Sequence, residues 1–124
     1  MPEKCAYIRA VGGISGDMLL GALIDVEADI DFITQQLNSL NLGEIELEFY
    51  NGIRKGVSGI GLRPLKGCLE SKSYTFKQFI KIIEDSQLTP NVRSKVLMTF
   101  ANLFQAEQKV HGTGDVELHE LGSI

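Results

Sequence analysis

Basic residues are few and dispersed in this sequence. Its 12 Lys and Arg are scattered among 16 Asp and Glu, leaving a net charge of -4. Affinity for duplex nucleic acid comes from clustered Lys and Arg on one surface, so nucleic acid is not an expected partner. Long apolar runs are missing as well. The longest near the N-terminus, Met18 to Ile24, is seven residues even counting Gly21, far short of the roughly 20 that span a bilayer. No membrane partner is expected. The opening Met-Pro-Glu-Lys has no basic segment followed by an apolar stretch, so nothing reads as a secretory signal. Cysteine is scarce, and Cys5 and Cys68 stand at no motif spacing. They read as free thiols, and the expected compartment is the cytoplasm. Repeats, low-complexity tracts and Pro/Ser-rich linkers are absent too. What remains is 124 residues, 44% hydrophobic and 23% charged, the size and make-up of one globular domain over 1–124.

Hydrophobic spacing predicts an order of strand, two helices, two strands, two helices and a short final strand. Cys5 to Val11 is rich in β-favouring residues and ends at Gly12-Gly13, as a strand does. Ser15 stands at a helix N-cap position, with Asp17 in the first turn. The helix from Gly16 to about Val26 is apolar around most of its circumference, apart from a stripe of Asp17, Gly21 and Asp25, so burial is expected. Asp29 caps a second helix with Ile30, Ile33 and Leu37 on its inner face. Glu44 to Tyr50 alternates charged and apolar residues, the mark of a half-buried strand. Val57 to Leu65 reads as its partner, with turn chemistry at Asn51-Gly52 and Lys55-Gly56. Thr75 caps a helix bearing Phe76, Phe79, Ile80 and Ile83, and Thr89-Pro90 opens a last helix ending at His111-Gly112. Val116 to Leu121 closes the pattern as a short strand. The expected class is α+β: a small mixed or antiparallel sheet of three to four strands with about four helices.

Three segments carry residue types suited to chemistry. Gly12 to Asp17 is a glycine-rich turn between a predicted strand and a helix start. The backbone N–H groups around Gly13, Ser15 and Gly16 suit an anion, and Asp17 at its mouth suits a cation. The segment has neither the Gly-Lys-Ser/Thr of a P-loop nor dinucleotide-binding glycine spacing. A tight turn with a helix cap and no ligand explains it equally. In the last helix, Val92, Val96, Phe100, Leu103, Phe104 and Val110 share a broad face, with Glu107 near its centre and His111 one turn on. A carboxylate on an apolar face is paired, protonated or bound to something. Glu107 and His111, four apart, could ligate one metal or simply hydrogen-bond to each other. Glu117 and His119 would share one face of a strand, with Glu120 beside them. Nucleophilic catalysis has little support: Ser15 has no local base, and neither cysteine has an electropositive setting.

Gly-Gly-Ile-Ser-Gly-Asp-Met-Leu-Leu-Gly-Ala-Leu-Ile-Asp (Gly12 to Asp25) resembles the opening motif of the LarC-type nickel insertion proteins. Ala106 to Gly112 (Ala-Glu-Gln-Lys-Val-His-Gly) is similar to that family's Ala-Glu-x-Lys-Val-His-Gly, and Leu118 to Gly122 to its Phe-His-Glu-Val-Gly. The likeness covers essentially the whole chain. It implies a role in maturing a nickel-pincer nucleotide, in which Ni2+ enters a pyridinium bisthiocarboxylate mononucleotide at the expense of CTP. The activity is of a lyase or chelatase type. The implied metal residues are Asp17, Glu107, His111, His119 and Glu120.

The sequence departs from the family pattern at four places. Arg9-Ala10 stands where members have Asp-Pro, Gly67 to Tyr74 holds no His, and Glu117 replaces a His. The chain also ends at Ile124, where members continue into a C-terminal part associated with the nucleotide. The expectation is an N-terminal module that binds or delivers Ni2+ to the nickel-pincer precursor and meets CTP only through that C-terminal part. The contrasting expectation is a non-catalytic interaction or assembly module, or a degenerate family member, whose uncovered apolar faces favour homo-oligomers.

Overall fold

The computed structural model of the chain describes residues 4–66 and 73–112. Its elements are helices α1 (Gly16–Asp25) and α2 (Ile30–Asn38), strands β1 (Glu46–Arg54) and β2 (Val57–Lys66), and helices α3 (Phe76–Asp85) and α4 (Pro90–His111). Four helices and a two-stranded antiparallel sheet make an α+β fold. The sheet has two strands among the described residues, not three to four. Val116 to Leu121 lies outside the described residues. Cys5 to Val11 falls inside them and forms no strand. β-favouring residues make a strand only when a neighbouring segment supplies the ladder. Here the segment makes only a turn, with Gly13 N–H donating to the Ala10 carbonyl at 3.3 Å.

Residue contacts divide the chain into two compact units, 1–28 with 49–63, and 29–48 with 64–124. In the first unit α1 begins where expected, but Ser15 does not cap it with its side chain. Its hydroxyl donates to the Asp17 carboxylate instead. Burial of α1 is narrower than its composition implies, being confined to Gly21 and Ile24. Met18, Leu23 and Val26 are exposed. Gly21 lies against the backbone carbonyl of Ile60 in β2, so the small residue in the polar stripe is a packing point.

The hairpin turns at Lys55-Gly56, both with positive φ (49° and 80°), as a two-residue type I′ turn requires. Asn51-Gly52 lies within β1 and makes no turn. This register sets the Tyr50 ring over Gly61, where the missing side chain leaves room for it. The Arg63 guanidinium stands 5.1 Å from the ring centroid.

In the second unit, caps define the helices. The Asp29 carboxylate accepts from the Phe32 amide at 3.0 Å. Thr75 and Gln78 form a reciprocal capping box on α3, which satisfies two otherwise orphaned groups. α4 starts with Pro90 in its first turn and no side-chain cap. Asn38 ends α2 and bonds both N–H and C=O of Ile45, at 2.9 and 3.2 Å.

α3 and α4 pack through an aromatic cluster. Phe79 stacks on Phe100 at 4.0 Å, and Phe104 meets Phe76 at 4.8 Å. Among the described residues Ile83 and Phe104, 3% and 4% exposed, are the best buried apolar side chains, and Leu88 is buried as well. The turn between α3 and α4 is strapped down by Gln36 of α2. Its amide donates to the Gln87 carbonyl and accepts from the Thr89 N–H, at 3.3 and 3.1 Å. Arg93 reaches back to the Ser86 carbonyl at 2.8 Å. The start of α4 is thereby anchored, and its far end extends to His111. Among the described residues no helix is long and apolar enough to cross a membrane.

Candidate metal-handling site

The expected ligands fall in three places. Glu107 and His111 are brought together. One turn apart on α4, the His111 Nε2 stands 3.3 Å from the Glu107 carboxylate, with side chains 62% and 29% exposed. Glu107 is thus half-buried at the margin of the α4 apolar face, while His111 faces solvent. Val110, expected on the buried face, is 78% exposed, and Val92 is exposed too. α3 meets α4 through Phe100 and Phe104, and the apolar residues nearer the two ends of the helix, Val92 and Val110, are open. His111 closes α4, and Gly112 follows with a φ of 88° and its N–H on the Gln108 carbonyl at 2.9 Å. Lys109 and His111 occupy the last turn, where cationic groups suit the helix dipole.

Asp17 sits in the first turn of α1 and accepts the Ser15 hydroxyl. That hydrogen bond, and next the Met18 amide, hold its carboxyl below the ordinary carboxylate value, because each stabilises the charged form. The helix start that was expected to suit an anion, around Gly13, Ser15 and Gly16, therefore already carries a carboxylate. The Ser15–Asp17 pair was missed in the sequence. Its only signal was Ser-x-Asp spacing, which also fits a hydroxyl cap.

His119 and Glu120 lie outside the described residues, as does Cys68. Among the described residues no group of three or more His, Cys, Asp or Glu is arranged to hold a metal ion. Glu107 and His111 supply two donors, and a nitrogen–oxygen site for a first-row metal takes at least three or four ligands. An open cleft of about 360 Å³ lies elsewhere in the second unit, with Tyr74, Gln78, Lys81 and Asp85 in its lining. It contains none of the expected ligands.

Residues 6–124 match the family described as nickel insertion protein. The chain belongs to this family. It is 37% identical over 125 residues to the pyridinium-3,5-bisthiocarboxylic acid mononucleotide nickel insertion protein of Desulfitobacterium hafniense, covering 98% of this chain and 30% of that protein. Proteins of the same name in Staphylococcus saprophyticus and Staphylococcus epidermidis are 34% and 32% identical, over 95% and 98% of this chain and 30% and 31% of theirs. The chain thus spans about a third of the length of the curated relatives it matches. No solved structure matches it at a significant level.

Proposed function

We propose that this chain is the nickel-handling N-terminal module of a nickel insertion protein, binding Ni2+ as cargo and passing it towards a pyridinium bisthiocarboxylate mononucleotide. The observation that carries this reading is the Glu107–His111 pair, 3.3 Å apart at an accessible helix end, inside the segment matched to the family. An imidazole and a carboxylate on one helix face are donors that suit a borderline cation such as Ni2+. The pair is half of a site. His119 and Glu120, a few residues on, are the proposed remaining ligands. In the free state the Glu107 carboxylate orients the imidazole, as second-shell carboxylates do in metal sites. On capture of the ion it becomes a ligand itself. CTP and the nucleotide precursor belong to the part of a family-length protein outside the matched third.

The test is calorimetric titration of Ni2+, with Zn2+ as competitor, into the chain and into a His111→Ala, His119→Ala double variant. Stoichiometric binding to the parent and its loss in the variant are expected. Equal binding to both, or none to the parent, would overturn the reading and leave Glu107–His111 as a helix-end contact.

A further inference from the structure

The first unit leaves most of its large apolar side chains uncovered. Among the described residues, Ile24 is its only buried large hydrophobe, while Tyr7, Val11, Met18, Val26, Ile53 and Val57 are all exposed, Tyr7 at 90%. Apolar surface on this scale marks an interaction site. A unit this small with one buried anchor also lacks the burial that stabilises an independent fold. The Cys5 to Val11 segment has strand-forming residues and an exit turn into α1, yet it has no ladder among the described residues. Apart from the Ala10 carbonyl, which accepts from Gly13 N–H, no ladder engages the segment among the described residues, and a strand-forming segment in that state is a template for pairing.

We propose that Cys5–Val11 and the uncovered apolar surface of the first unit form a docking surface for the rest of a family-length nickel insertion protein. The segment takes its ladder hydrogen bonds from a strand there. The relatives point to this occupant. They carry the equivalent of nearly all of this chain in about a third of their length, so in them the other two-thirds is covalently linked to this surface, at the high effective concentration of a linked chain. Extended, the segment would place Tyr7, Arg9 and Val11 on one face and Ala6, Ile8 and Ala10 on the other. The small residues at positions 6 and 10 would let a covering layer approach closely. This inference rests on family membership and not on the nickel reading, so failure of the nickel titration leaves it standing.

Amide hydrogen exchange tests it, on this chain alone and on the family-length Desulfitobacterium hafniense relative. The amides of residues 6–10 are expected to exchange in this chain with less than about 10-fold protection, and the matched amides of the relative with more than about 100-fold. Equal, weak protection in both would overturn the proposal. So would protection in this chain that grows with its concentration, which would make a second copy the occupant. Ile8→Asp is expected to leave the melting temperature of this chain unchanged. A clear fall would mean that the segment already packs within its own unit, and would overturn the proposal as well.

Discussion

Gly21 of α1 lies directly against the carbonyl of Ile60 in β2, so close that a Cβ there would overlap the carbonyl oxygen. The obstacle is backbone, which cannot swing aside as a side chain does. In an exposed helix interior, Gly→Ala gains about 1 kcal/mol, but forced overpacking costs about 1–3 kcal/mol. Gly21→Ala is therefore expected to destabilise the chain or leave it level, while Gly16→Ala, with open space around it, stabilises it. Urea denaturation of the two variants side by side checks the contrast. A Gly21→Ala protein as stabilised as Gly16→Ala would show that α1 does not pack on β2 this way.

Phe104 is 4% exposed and contacts the rings of Phe76 and Phe79. Phe104→Ala is expected to cost about 3–5 kcal/mol through lost burial and a residual cavity. Val110→Ala, at an exposed position on the same helix, should stay within about 0.5 kcal/mol. Thermal unfolding of both variants measures the difference. Similar losses would mean that the helix end is covered after all.

Removing the α3 cap provides a local test. Thr75→Ala removes the hydroxyl that accepts from the Gln78 amide, while the N–H of residue 75 keeps its bond to the Gln78 side chain, and is expected to cost about 0.5–2 kcal/mol. Thr89→Ala should cost less, because Thr89 makes no side-chain cap bond to α4. The ranking of the two midpoints in denaturant decides it.

The Asp17 carboxyl is held low by the Ser15 hydroxyl and then by the Met18 amide. A folded-state value below the unfolded one stabilises the fold above the unfolded pKa. That contribution is lost as the pH falls through the lowered value. Ser15→Ala is expected to raise the Asp17 midpoint towards the ordinary carboxylate range. A carboxyl-detected NMR titration of both proteins reads it directly. An unchanged midpoint would mean that the helix start, rather than the hydroxyl, sets the value.

Mixed with CTP and Ni2+, this chain alone is expected to release no CMP or CDP above background, because we propose nucleotide handling for the part outside the matched third. Chromatographic assay of the nucleotides checks it. Hydrolysis that Glu107→Gln abolishes would place the nucleotide chemistry on α4.

Much of the fold was legible in the sequence. α3 starts at Thr75 and α4 at Pro90 as the caps and the proline indicate, because capping is settled within one turn of chain. The hairpin was legible for the same reason, although two turn signals competed. Lys55-Gly56 prevailed over Asn51-Gly52, and β1 continued through the latter. The Glu107–His111 pairing followed from helical spacing alone. The Ser15–Asp17 bond did not, since a serine before a helix can cap the backbone or bond a nearby carboxylate, and only the folded geometry distinguishes these.

The four helices, the hairpin and the placement of Glu107 and His111 on one helix face were readable in the amino-acid pattern. These depend on residues within a few positions of one another. Long-range packing set the rest: Cys5–Val11 forms no strand among the described residues, α1 buries Gly21 and Ile24 rather than most of its surface, and Val110 is open to solvent. A strand takes its hydrogen bonds from another segment, and an apolar side chain is buried only by what packs over it. Neither partner is encoded in the local pattern.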